Sequence, residues 1–324
     1  MAKNVFITGA AGFIGFHLAR QLALRGDHVV GYDNVNDYYP PQLKRMRILE
    51  LQKQGITVIE GDICDVAALN ENIRKHHTTH LVHLAAQAGV RYSLENPQAY
   101  VKANLEGFVN ILEVCRLNPS IKLTYASSSS VYGRNTKVPF AESDRTNMQA
   151  SLYGVTKKSN ELMAGTYHHL YKIPVTGLRF FTVYGPWGRP DMAYYTFTKA
   201  ILSGEPILVY NHGHMERDFT YIDDIIRGTI AAIDLEAACE VFNLGNHRPV
   251  KLLDFIAILE KSLGAKAVLK PMEMQAGDVV ATYADISHSS DKLGFVPQVT
   301  LEEGIPLFVN WYKSYQSTKK QQNN

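Results

Sequence analysis

Short runs of β-branched and aromatic residues alternate with longer segments of mixed polarity through the first half of the chain. Val5-Phe6-Ile7-Thr8 is followed by a helical pattern up to Arg25, and then by His28-Val29-Val30-Gly31-Tyr32-Asp33. The pattern continues with predicted strands at Thr57–Glu60, 80–84, 123–126 and Val175–Phe180, each set off by a helix-length segment. Strands joined by helices need right-handed crossovers, which give a mainly parallel sheet covered on both faces. The predicted fold class is therefore α/β, a doubly wound sheet. After Phe181 the texture changes to Gly- and Pro-punctuated stretches such as Tyr184-Gly185-Pro186-Trp187-Gly188-Arg189-Pro190, where a smaller lobe begins. A helix within 224–238 and a strand at 241–244 look like a return to the sheet. We expect residues 1–181, with 218–246 returning to them, to form one unit, and 182–217 with 247–316 to form the second lobe. Residues 317–324 are polar and lack an apolar anchor, so they are expected to fray.

Composition narrows the function classes. Lys and Arg number 33 against 31 Asp and Glu, and the basic residues are dispersed, which argues against nucleic acid or an anionic membrane as partner. The apolar stretch 5–16 is too short and too interrupted to cross a bilayer. No secretory leader pattern is seen, so a cytoplasmic location is expected. Cys64, Cys115 and Cys239 are far apart with no C-x-x-C, which predicts buried free thiols instead of a disulfide framework. His76, His77 and His80, like His212 and His214, read as solvated loops, and no metal site is expected.

Gly9-Ala10-Ala11-Gly12-Phe13-Ile14-Gly15 directly follows the first strand and opens a helix. Glycines in that context allow a tight turn and let backbone N–H groups and a helix N-terminus approach a pyrophosphate. Asp33 ends the second strand, where a carboxylate would accept hydrogen bonds from the adenosine ribose hydroxyls, and Asn34-Val35-Asn36-Asp37 offers no cation for a 2′-phosphate. NAD is thus expected over NADP. Asp62 and Ile63, and Leu84, Ala85 and Ala86, stand where adenine and the cofactor's ribose chain would pass, although ordinary strand-end turns would look the same.

Tyr153-Gly154-Val155-Thr156-Lys157 begins a helical stretch, and the spacing of four puts phenol and ammonium on one face. A neighbouring Lys⁺ and an oxidised nicotinamide would stabilise the phenolate and make the tyrosine a usable base. With 18 tyrosines in the chain a lone Y-x-x-x-K is weak, and its context with the glycine turn gives it weight. Ser127-Ser128-Ser129-Ser130 closes a strand at the carboxyl edge of the sheet, where ligands of such sheets bind. A hydroxyl there would hold the substrate's reacting oxygen; for Ser127 a solvated turn is the expected role.

These residues, together with Ala85-Ala86-Gln87-Ala88-Gly89-Val90-Arg91, the run from Arg179 to Met192 and Arg217-Asp218-Phe219-Thr220-Tyr221-Ile222-Asp223-Asp224, carry a resemblance. The chain resembles the extended short-chain dehydrogenase/reductases and, among them, the UDP-glucuronate 4-epimerases. The resemblance covers nearly the whole chain and implies a Rossmann-type NAD-binding domain, whose glycine turn of Gly9, Gly12, Phe13, Ile14 and Gly15 holds the cofactor, with a smaller C-terminal substrate-binding lobe. It implies that NAD stays bound, that Tyr153 deprotonates the sugar 4-hydroxyl, and that the C4 hydride leaves and returns on the opposite face of a rotated 4-keto sugar. Ser128 would hold the 4-oxygen, and Lys157 the nicotinamide ribose. Substrate contacts would come from Gln87, Arg91, Ser128, Ser129, Ser130, Thr182, Arg189, Val209, Tyr210 and Arg217, with Tyr210 stacked on uracil. Asp278 belongs to a loop, Gln275-Ala276-Gly277-Asp278, that departs from the family pattern in having Ala before Gly-Asp.

Related 4,6-dehydratases carry Asp and Glu at the places of Ser129 and Ser130, and decarboxylases carry Glu at the second. Hydroxyls cannot stand in for carboxyl groups in those proton transfers, so the ketone is expected to be returned by reduction. Thr182 replaces the Asn of UDP-galactose 4-epimerases, and Thr182, Arg189 and the serines are expected to grip a C6 carboxylate, unless Arg189 merely pairs with Asp191. The implied function is epimerisation of UDP-glucuronate to UDP-galacturonate without decarboxylation. The alternatives are a 4-epimerase of neutral UDP-hexoses and a non-catalytic NAD-binding sensor or scaffold. Similar proteins pair the helices at 97–117 and Leu152–Tyr171 into a homodimer, and the sequence alone equally allows a monomer.

Overall fold

The structure, a computed structural model, describes residues 2–274 and 279–322. The first half alternates strictly: β1 (Asn4–Thr8), α1 (Phe13–Arg25), β2 (His28–Asp33), α2 (Pro41–Lys53), β3 (Thr57–Glu60), α3 (Val66–Lys75) and β4 (His80–His83). After the short α4 (Tyr92–Glu95), the helices α5 (Pro97–Tyr100) and α6 (Gly107–Leu117) run on through a π-helical turn at Val101–Glu106. Then come β5 (Lys122–Ser128), α7 (Leu152–Tyr171) and β6 (Val175–Phe180). The remainder comprises β7 (Thr182–Tyr184), α8 (Ala193–Ser203), β8 (Pro206–Tyr210), β9 (Glu216–Tyr221), α9 (Ile222–Leu235), β10 (Cys239–Leu244), β11 (Pro249–Lys251), α10 (Leu252–Leu263), β12 (Val268–Met272), β13 (Ala281–Thr282), α11 (Ser287–Leu293) and α12 (Leu301–Gln322).

Seven strands form one parallel sheet in the order β10-β6-β5-β4-β1-β2-β3. The order reverses between β1 and β4, which opens a crevice beyond their carboxyl ends, the place where sheets of this kind receive ligands. Alternation along the strands feeds two cores. Phe6, Leu81, Leu123 and Val175 pack with Phe108, Ile111 and Leu112 of α6, whereas Val5, Ile7, Val82 and Leu178 pack with α1 and α9. The small sheets β11-β9-β13, with β7 beside β9, and β12-β8 stand on the far side of the crevice.

α12 runs to Gln322; just upstream of its polar end Tyr312 and Tyr315 are buried and Trp311 stacks on Tyr315 at 5.3 Å. Ser317 and Thr318 return their hydroxyls to the carbonyls of Lys313 and Ser314. Two sequence expectations need correcting. His80 is not in a solvated loop but buried in β4, bonded to Thr79 and Glu236. Of the thiols only Cys115 is buried; Cys64 is half-buried, and Cys239 is exposed at the first position of an edge strand.

Candidate active site

Backbone geometry builds the first end of the crevice. Gly9 has φ +77°, and a Cβ there would lie 2.6 Å from the amide nitrogen of Ala85; a Cβ on Gly15 would lie 2.2 Å from the Gly9 carbonyl oxygen. The glycines are thus required by close approach of turn, helix and the strand beyond, and α1 begins at Phe13 with its free N–H groups at the crevice. Asp33 braces the turn: its buried carboxylate accepts from the backbone N–H groups of Ala11 (3.0 Å) and Val35 (2.8 Å). Burial raises its pKa, and those two N–H groups oppose the rise. Asp62 accepts from the Cys64 amide and from Asn34 Nδ2.

Ser151 caps α7, accepting from the Gly154 amide at 3.1 Å, so Tyr153 sits in the first turn and Lys157 one turn later. Gly154 lets this helix press on the serine run, since a Cβ there would come within 2.7 Å of the Ser130 carbonyl oxygen. The result brings the Ser128 hydroxyl to Tyr153, close enough to favour its phenolate, while Ser128 Oγ accepts from the Ser130 amide at 3.1 Å. Burial raises the pKa of Tyr153, with the nearby Ser128 hydroxyl and the Arg189 charge working against it and Asp191 adding to it. Lys157 is 2% exposed, donates to the Ala126 carbonyl at 2.8 Å, and is pushed down to about 8 by burial. Ser129 and Ser130 follow in a single 3₁₀ turn at the cleft wall.

The wall between these groups is formed by Leu84, Ala85, Ala86 and Gln87. Asn104, from the π-helical turn, clamps the Gln87 peptide on both sides, accepting from its N–H at 2.8 Å and donating to its carbonyl at 2.9 Å. Gln87 Nε2 is buried without a partner, a donor left for a bound molecule.

The chain matches the NAD dependent epimerase/dehydratase family over residues 5–245. It belongs to that family. Among its relatives, UDP-glucuronate 4-epimerase 4 of Arabidopsis thaliana is 51% identical, over 98% of this chain and 77% of its own length. The crystal structure of UDP-glucuronic acid 4-epimerase from Bacillus cereus, in complex with UDP-glucuronic acid and NAD, superposes with a TM-score of 0.90 at 36% identity, covering 96% of this chain and 99% of that one. The UDP-glucose 4-epimerase of Thermotoga maritima, with UDP-glucose, is more distant in sequence at 29% identity, with a TM-score of 0.86 over 96% and 99% of the two chains.

The cofactor of an NAD dependent epimerase/dehydratase fits this crevice. The bare glycine turn, the carboxylate of Asp33 in place of a cation, and the unpartnered Gln87 Nε2 supply the donors and acceptors that a dinucleotide needs. The same cleft, of about 1080 Å³, continues past Tyr153 to the second lobe and is lined there by Arg91, Thr182, Arg189, Tyr210 and Arg217. Arg189 is bound to Asp191 through both Nε and Nη2, and Tyr38 donates to the same carboxylate at 3.1 Å. Arg91 lies over the Tyr210 ring at 4.7 Å, and Arg217 donates to the carbonyls of Glu216 and Val280.

Two expected roles shift. Val209 does not face the cleft: strand alternation turns its side chain into the core and leaves Leu208 and Tyr210 on the cleft side. Ser127 is not a solvated turn residue, because it is buried and donates to Glu161 Oε1 at 2.6 Å beside the Glu161–Arg179 ion pair. Asp278 lies outside the described residues. The Arg189–Asp191 pair that the sequence offered as the alternative role of Arg189 is present. Asn104, Tyr38 and Gly154 were not singled out from sequence; Gly154 sits within a quoted motif, and nothing in the sequence signals the other two.

Proposed function

We propose that this protein is a UDP-glucuronate 4-epimerase, interconverting UDP-glucuronate and UDP-galacturonate in the cytoplasm without loss of carbon dioxide. The observation that carries the reading is one cleft that brings together the Ser128 hydroxyl and Tyr153, Lys157 one helical turn away, and Arg189, with hydroxyls alone at positions 129 and 130. Tyr153 takes the proton from the sugar 4-hydroxyl while Ser128 holds that oxygen. Lys157 stabilises the phenolate, and the first turn of α7 adds its positive end. NAD, bound along the glycine turn, supplies a reversible hydride acceptor. Arg189 and Thr182 hold the C6 carboxylate, keeping the C5–C6 bond out of line with a C4 carbonyl to which it is β. Ser129 and Ser130 offer no acid for elimination, so the ketone is reduced back. Tyr210 and Arg91 receive the uridine end, and Arg217 the diphosphate. The exposed Val101, Leu117, Val155, Leu162 and Leu170 on α5–α6 and α7 suit a homodimer through those helices.

The purified protein, incubated without added cofactor with UDP-glucuronate, UDP-glucose or UDP-xylose, is expected to yield UDP-galacturonate alone by NMR. A pentose product from the acid, or exchange confined to the neutral sugars, overturns the reading.

A further inference from the structure

Arg47 of α2 is the largest fully buried side chain of the described residues. Its hydrogen-bond partners are unusual for a buried cation. Nη1 donates to the Ala11 carbonyl and to Tyr39 OH, each at 2.8 Å, and Nη2 donates to the carbonyls of Trp187 at 2.5 Å and Gly188 at 3.3 Å. Among the described residues no carboxylate forms an ion pair with it, although the charge of the buried Asp33 interacts with it. A buried charge is normally neutralised by an opposite one. Here it is spread over main-chain carbonyls of two segments that are far apart in sequence and are the two working ends of the cleft. Ala11 belongs to the glycine turn, and Trp187-Gly188 is the strap that delivers Arg189.

The strap has no freedom of its own. Trp187 takes φ +61°, its ring packs on Phe16 of α1 at 5.2 Å and on Trp311 at 5.5 Å, and the preceding Pro186 carbonyl meets His17 at 2.9 Å. A ring of contacts then closes on Arg47: through Tyr39 to its neighbour Tyr38, from Tyr38 to Asp191, from Asp191 to Arg189, and from Gly188 back to the guanidinium. Only a planar fork can serve both segments together, because its donors are fixed relative to one another.

We propose that Arg47 is a positioning residue that couples the two ends of the cleft, holding the dinucleotide turn and the sugar-acid arginine at one fixed separation. The proposal rests on the role given above to Arg189. It makes the cofactor grip and the recognition of the sugar acid depend on a residue that touches neither.

The test is Arg47→Lys, which keeps the charge and loses the fork, read by NAD content after purification and by steady-state kinetics. We expect the folded variant to retain less than about half of the wild-type NAD, and its KM for UDP-glucuronate to rise about 10-fold with kcat, at saturating NAD, within about 2-fold. The affinity for uridine diphosphate alone should not change. Tyr39→Phe, which removes a single bond, is expected to move both readouts in the same direction by a smaller factor. A folded Arg47→Lys with wild-type NAD content and KM overturns the proposal. If that variant does not fold, Tyr39→Phe with both values unchanged overturns it. A wild-type protein that does not turn over UDP-glucuronate removes the Arg189 reading instead, and the NAD measurement still decides whether Arg47 holds the turn.

Discussion

Two cations look into the same cleft, and they are held in opposite ways. Lys157 is buried against a main-chain carbonyl, with no carboxylate paired to it among the described residues, and burial pushes it down to about 8. Arg189, with its side chain 24% exposed, is gripped through two nitrogens by Asp191, which holds its charge firmly in place. The difference teaches where each end of the site keeps its charge. At the tyrosine, the proposed role of the Lys157 ammonium in favouring the phenolate would come at the cost of burying its charge. At Arg189 a carboxylate from the chain already sits on the guanidinium, so on the proposed reading a sugar carboxylate meets a neutral pair and must be recognised by geometry as much as by charge.

The sharpest way to break this contrast is to remove the uncompensated cation. Lys157→Met is expected to lower kcat by about 10³-fold, within the range of general acid–base contributions, while leaving KM for UDP-glucuronate nearly unchanged. Progress curves by NMR measure both. Arg189→Met should do the reverse, raising KM for UDP-glucuronate by about 10- to 100-fold with a small change in kcat. Its KM for a neutral UDP-hexose should hardly move, and equal losses for both sugars would show that Arg189 does not distinguish them.

The contrast also appears in stability. Below pH 8 Lys157 is protonated both folded and unfolded, and the folded state bears the whole cost of burying the charge. Between pH 8 and the ordinary lysine value the unfolded chain binds the extra proton, so stability rises with pH through that window. Above about pH 10 the raised pKa of Tyr153 works the other way, because the folded state then holds the extra proton. Lys157→Met should flatten the rise. At pH 7 it is expected to be more stable than wild type by about 2 kcal/mol, the burial cost less about 1 kcal/mol for the lost bond to Ala126. Urea unfolding at pH 7 and pH 9 measures this, and a variant less stable at pH 7 would mean that Lys157 is not strained by burial.

The two ends differ as well in how far the sequence discloses them. The parallel sheet, the glycine turn and the Tyr153–Lys157 spacing follow from local periodicity, because each is made by residues near one another in the chain. Ser128 and Tyr153 meet for a reason that is partly local too: the N-cap Ser151 and the bare Gly154 set the helix start against the serine run. The sugar end is assembled from distance. Tyr38 reaches Asp191 across 153 positions, and Arg47 reaches Trp187 across 140. No spacing rule connects such residues. Val209 shows the same limit at short range, since one position along a strand reverses the face, and membership in a motif does not say which way a side chain turns. The helical course of residues 317–322 is not legible in their own polar sequence, because the buried Tyr312 and Tyr315 stand just before them.

The smallest expected effect probes the arginine end most finely. Tyr38 donates one hydrogen bond to Asp191, on the oxygen that also takes Arg189 Nη2. Tyr38→Phe deletes that bond without changing any formal charge and leaves the ring against Tyr92, at 4.9 Å. With one donor fewer, Asp191 leans more fully on Arg189, and the guanidinium becomes harder to share with a sugar carboxylate. KM for UDP-glucuronate should therefore rise about 2- to 5-fold, the scale of a single hydrogen bond, with kcat unchanged. The sign is what matters. A fall in KM would mean that the Tyr38 bond presses Asp191 onto Arg189 instead of drawing it away, so that deleting the bond loosens the pair.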